Sequence, residues 1–191
     1  MAGIPAPVDF SVADSLRQHP YFKDLHPQSV AALAAEALRR TFAAGELLFL
    51  EGEPSAGLWI VERGRAKVYK LHVEGREHIL HLPGPGESFN DIPALDGGPN
   101  AASASALSPL TAWVIPTHSL AAALERDPAL ALTVIAGLSE RVRALVQQIE
   151  GLALYPVQAR LARFLLSQSE NPAVAGPGVT RATIAAHLGT T

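Results

Sequence analysis

From Thr41 to Pro116 the apolar residues come only in short runs, and turn chemistry closes each one. The runs Leu47–Leu50, Leu58–Val61, Ala66–Leu71, Ile79–Leu82 and Leu110–Ile115 alternate with turns at Glu51-Gly52-Glu53-Pro54, Arg63-Gly64, Glu74-Gly75, Pro83-Gly84-Pro85-Gly86 and Gly97-Gly98-Pro99. Glycine accepts positive φ and proline lacks an amide donor, so each turn ends a strand rather than extending it. Short strands with turns every 8–12 residues or so predict a β sandwich or jelly roll. No internal repeat is visible.

The flanks carry a different period. Residues 1–20 show no sustained pattern and are expected to lie over the surface. Pro27 suits the first turn of a helix whose stripe is Val30, Leu33, Ala34, Ala37 and Leu38. After the last strand signal, Thr117 or Ser119 is expected to cap a short helix through Arg126. Asp127-Pro128 then reads as N-cap plus first-turn proline of a long helix ending at Tyr155-Pro156. Further helix is expected over 157–168 and a loop over 171–178. Thr180 should cap a last short helix ending near Gly189. The fold class is therefore α+β, a jelly roll with flanking helices and one long helix, divided at 1–126, 127–154 and 155–191.

Charge and composition exclude several function classes. A net charge of -3 rules out a basic coat along the chain, so any nucleic-acid contact must be local. There is no cysteine, which removes disulfides, thiol nucleophiles and an iron–sulfur cluster held by thiolates. Met1 to Asp14 has neither a basic start nor an apolar core of a signal peptide, and no apolar run is long enough for a membrane span, so a cytoplasmic location is expected.

On the long helix, Ile135, Leu138, Val142, Leu145, Ile149 and Leu152 alternate three and four apart. β-branched residues at every a position with leucine at every d favour a parallel two-stranded coiled coil. This seam predicts a homodimer, with Glu140, Arg141, Arg143, Gln147, Gln148 and Glu150 on a solvated outer face. The alternative is that the stripe packs onto the chain's own barrel.

The order of helix, jelly roll, long helix and small helical unit resembles the cyclic-AMP receptor protein/FNR family of transcription regulators along essentially the whole chain. The carrying segments are 42–49 (Phe42-Ala43-Ala44-Gly45-Glu46-Leu47-Leu48-Phe49), 51–54, 58–69, 84–89 and 179–191. The resemblance implies that 1–126 binds a small-molecule effector, 127–154 dimerises, and 155–191 is part of a winged helix-turn-helix. It implies that Thr180 and Arg181 touch the DNA backbone, contacts that position a protein without reading bases. It also places the base-reading helix after Thr191, outside this sequence.

The effector cassette of the family matches residues 89–103. The candidate contacts are Phe89, Asn90, Asp91, Ile92, Asn100, Ala101 and Ala102. Relatives that bind cyclic nucleotides carry a ribose-binding acid where Asp91 stands, and an arginine and a hydroxyl residue where Ala101 and Ala102 stand. The missing cation argues against a cyclic nucleotide, because a phosphodiester leaving water needs one. Asn90, ahead of Pro93, is read first as a helix cap. Some family members bind haem through histidine, which makes His78 or His81 an alternative ligand. Three apart in a regular strand, the two face opposite ways and cannot converge on one metal. No His-x-His pair, phosphate loop or nucleophile elbow supports an enzyme. A binding module with a different output remains the third reading.

Overall fold

The computed structural model describes residues 11–170 and 179–190. The readings made for 1–10, for the 171–178 loop and for Thr191 lie outside the described residues. In chain order the elements are α1 (Val12–Gln18), α2 (Pro27–Glu36), β1 (Leu38–Phe42), β2 (Leu47–Phe49), β3 (Leu58–Arg63), β4 (Ala66–Leu71), β5 (Glu77–His81) and β6 (Ser88–Phe89). There follow α3 (Asp91–Asp96), β7 (Ser103–Ala106), β8 (Leu110–Ile115), α4 (Thr117–Arg126), α5 (Pro128–Leu154), α6 (Val157–Glu170) and α7 (Arg181–His187).

The eight strands form two antiparallel sheets, β1-β8-β3-β6 and β2-β7-β4-β5. The run Leu58-Trp59-Ile60-Val61 shows why the pattern is apolar without alternation. Trp59 and Val61 face the space between the sheets with Phe49, Phe89, Ala104 and Leu110. Leu58 and Ile60 face outward into a second core built with Leu16, Phe22, Val30, Leu33 and Leu120 from the helices. A strand buried on both faces reads as a continuous apolar run.

Several expectations need correction. Residues 12–20 are not a surface run: α1 is capped by Ser11, and Leu16 is fully buried in the helical core, where Phe22 just beyond joins it. Helix α2 stops at Glu36; Ala37 is extended and Leu38 pairs with Val114 as the first residue of β1, because sheet pairing overrides the helical stripe. Strand β7, Ser103-Ala104-Ser105-Ala106, was invisible by hydrophobicity, yet all four residues are buried. Small side chains there let the sheets close over the larger Phe49, Trp59 and Phe89. Neither Thr117 nor Ser119 caps α4, whose N-cap position is Pro116. Instead Ser119 Oγ donates to Glu36 Oε2, beside His118 at 3.0 Å, and so pins α4 to the end of α2. Asp127 does cap α5, accepting from the Ala129 and Leu130 amides.

Helix α5 runs 27 residues through Gly137 and Gly151. Gly137 is there for close packing: a Cβ would overlap the Tyr21 ring, which lies on the helix at this point. Glycine normally costs a helix about 1 kcal/mol against alanine. Here alanine should destabilise instead, because overpacking costs about 1–3 kcal/mol. In a Tyr21→Ala background the same Gly137→Ala change should become stabilising. Urea unfolding of the four proteins checks this, and an equal effect of Gly137→Ala in both backgrounds would contradict the packing account.

Candidate functional site

Strand β6 delivers the chain into a tight left-handed turn. Asn90 has φ 66°, a conformation that asparagine tolerates better than most side chains. It occupies the N-cap position of α3 without capping it through its side chain, which corrects the expectation. Its Nδ2 donates instead to Ser55 Oγ (3.1 Å), the Gly57 carbonyl (3.2 Å) and Asn100 Oδ1 (3.0 Å). Asn100 in turn donates to the Leu50 carbonyl at 3.2 Å. The two asparagines thus tie both ends of the cassette to the β2–β3 connection.

The next residue, Asp91, is buried, its side chain only 3% exposed. Its Oδ1 accepts from Tyr21 Oη at 3.1 Å and from Ser88 Oγ at 3.0 Å, while Oδ2 pairs with Arg141 Nη1 at 3.2 Å. A carboxylate removed from water needs this combination of countercharge and donors. Arg141 also places Nη2 3.0 Å from His81 Nδ1. Sequence reasoning put Arg141 on the solvated face of α5; the structure turns it inward, one helical turn beyond Gly137. Gly137 and Arg141 are i, i+4 on one face of the helix, so the turn that admits Tyr21 also faces Asp91.

Charge states follow from these contacts. Burial, and then the Asp91 carboxylate, push the Tyr21 phenol above its usual range. Burial first, and then the Arg141 guanidinium, hold His81 down at about 3. Arginine only donates, so His81 Nδ1 accepts and the neutral ring carries its proton on Nε2.

Around this cluster lies a cavity of about 300 Å³ between the barrel and α5. Its wall is mostly apolar, with Val68 and Leu80 from the barrel, Pro93 from α3, and Ala144 and Leu145 from α5. Of the sequence candidates, Asn90, Asp91, Ile92, Ala101 and Ala102 line it. Two do not: Phe89 is fully buried inside the barrel, stacked 5.7 Å from Trp59, and Asn100 acts through Asn90. The α5 contribution (Arg141, Ala144, Leu145, Gln148) was missed because nothing local shows which barrel strand a distant helix covers. A register shift in the β4–β5 pairing, from Val68↔His81 to Tyr69↔Ile79, leaves Leu80 as an extra residue, so that Leu80 and His81 both border the cavity.

The histidines do not fit an iron ligand. His81 has a donor on Nδ1 and its own proton on Nε2, which leaves no lone pair for a metal. His78 lies apart from the cavity, beside Gly189. Among the described residues no group of three His, Asp or Glu side chains is placed to hold a metal.

The remaining candidates fall elsewhere. Ile135, Val142, Leu145, Ile149 and Leu152 are exposed along α5, whereas Leu138 packs partly against the helical core of its own chain. Thr180 forms a capping box with Thr183 at the start of α7, and Arg181 is exposed beside it. No helix among the described residues is long and apolar enough to cross a membrane.

Comparison with known proteins agrees with this architecture. The cyclic nucleotide-binding domain family matches residues 39–127. The CRP-like cAMP-activated global transcriptional regulator of Mycobacterium tuberculosis is 26% identical over 162 residues, 85% of this chain and 72% of the relative. The cyclic AMP receptor protein of Thermus thermophilus is 28% identical over 151 residues, 79% of this chain and 70% of the relative. The chain is similar to CRP-type transcription regulators over most of its length, and residues 39–127 match the cyclic nucleotide-binding domain. Among solved structures, FixK2 from Bradyrhizobium japonicum superposes with a TM-score of 0.73 at 27% identity, covering 81% of this chain and 78% of that one.

In this protein the site should make stability depend on acid. His19 is held at about 4, chiefly by burial, and His81 at about 3, both below the ordinary 6.5. Above pH 6.5 neither histidine favours unfolding. Below it the unfolded chain binds protons that the folded chain refuses, so stability falls as pH drops, by up to about 1.4 kcal/mol per pH unit per histidine. Denaturant titrations of His81→Asn between about pH 6 and pH 4.5, inside the window set by these shifts, should show a flatter decline. An unchanged slope would mean that His81 is not buried in its neutral form.

Proposed function

We propose that this chain is the sensing and dimerising part of a DNA-binding transcription regulator whose effector is an uncharged, largely apolar small molecule. One observation carries the effector class. The only arginine lining the described cavity, Arg141, is already bound to Asp91 and His81, so the cavity is electrically balanced. Neither Arg65 nor Arg76 lines it: Arg65 is buried with Nη1 2.7 Å from the Leu82 carbonyl, and Arg76 pairs with Glu74 at 2.9 Å. A phosphodiester would have to displace Asp91 from Arg141 or enter without a partner, at a cost of several kcal/mol, roughly. Each 1.4 kcal/mol or so is a tenfold loss of affinity. Two of the relatives carry cyclic AMP in their names; this chain keeps their fold and not a free cation at the site.

The dimer is supported by the exposed a and d residues of α5, which would leave a long apolar stripe in water without a second copy. Leu145 stands both in that stripe and in the cavity wall, so effector and dimer helix share a residue. The reading divides the chain into effector domain 1–126, dimer helix 127–154 and DNA-binding part 155–191, with Thr180 and Arg181 toward the phosphate backbone, acting in the cytoplasm. It assigns no catalysis.

Native mass spectrometry tests both parts at once. The purified chain should fly as a dimer, and cyclic AMP at micromolar concentration should add no mass. Saturable micromolar uptake of cyclic AMP would overturn the effector class, and a monomer would overturn the dimer.

A further inference from the structure

A larger cavity, about 630 Å³, adjoins the proposed effector site, sharing Ala144 and Gln148 with it, where the C-terminal half of α5 meets α6 and the end of α7. Two of the residues that line it each carry a polar atom buried without a partner: Arg160 Nε and His187 Nδ1. Buried donors and acceptors are nearly always paired, so two orphans on residues that line one cavity call for an explanation. The His187 ring is engaged on its other side, with the Ile79 backbone, and burial pushes its basicity down. Arg163 adds a second guanidinium, held in place by stacking 4.2 Å over the Tyr155 ring. Tyr155 in turn donates to Glu150 at 3.3 Å. Glu150 is the one carboxylate in the wall against two arginines, which leaves the cavity net positive in a chain whose net charge is -3.

The rest of the wall suits a flat apolar body. Phe164 is buried with its ring 5.4 Å from His187, and Leu188 is buried next to them. Gly151 opens the floor: a Cβ there would meet nothing within 4 Å. Unlike Gly137, then, no neighbouring group requires glycine at this turn of α5, and its effect is to leave room.

We infer that this cavity is a second ligand site, for a small organic anion that sets a carboxylate or phosphate on Arg160 and a planar ring beside Phe164. The ligand would touch α5, α6 and α7 together, and so favour one placement of α7 against the long helix. The inference is independent of the effector reading, since no effector-site variant enters its test.

Calorimetry on the whole chain with phenyl phosphate as the probe tests it. Saturable binding is expected, weakened about tenfold or more in Arg160→Gln and in Gly151→Leu. Leucine at 151 fills open space and has the better helix propensity, so loss of binding there cannot be blamed on unfolding. Inorganic phosphate should bind at least about tenfold more weakly, lacking the ring. No saturable binding, binding unchanged in both variants, or inorganic phosphate binding as tightly as phenyl phosphate would each overturn the inference.

Discussion

The structure turns on one buried carboxylate. Asp91 sits at the start of α3 and is held from three directions: by Tyr21 from the α1–α2 connection, by Ser88 from β6 and by Arg141 from α5. The three donors come from elements far apart in sequence, yet all satisfy the same charge. Removing any donor leaves a buried acceptor short, which costs more than the bond was worth when made. Gly137 belongs to the same device, because without it the Tyr21 ring could not lie close enough to α5 for its hydroxyl to reach Asp91.

That arrangement also sets the chemistry of the cavity. Arg141 is spent on Asp91 and His81, and what remains around them is apolar wall. A ligand acts on a regulator only through contacts that differ between two states. The groups that line this cavity include Arg141, Leu145 and Gln148 of α5 itself. Anything that changes the Asp91–Arg141 contact therefore acts directly on the long helix, without a chain of intermediaries.

The strand runs, the Asp127-Pro128 restart and the long helix were legible because each is written in local residue types: alternation of apolar run and turn, a capping acid before proline, and the absence of breakers. Strand β7 was not, since Ser-Ala-Ser-Ala carries no hydrophobic signal and is a strand only because its neighbours leave room for nothing larger. Half of the cavity was legible through the cassette at 89–103. The other half was not, because Arg141 looks like any solvated arginine between heptad positions, and only tertiary packing turns it inward. Leu138 shows the same limit: the heptad pattern cannot tell a seam residue from one shared with the core below.

The most direct test of this account is a double-mutant cycle between Asp91 and Arg141, with stability measured for the wild type, Asp91→Asn, Arg141→Met and the double variant. If the carboxylate and the guanidinium form one buried unit, the double variant should be less destabilised than the sum of the singles, with a coupling of about 1–3 kcal/mol. Strict additivity, within about 0.3–0.5 kcal/mol, would show that the two side chains act independently. The cavity's one arginine would then be free for an anionic effector, contrary to the account.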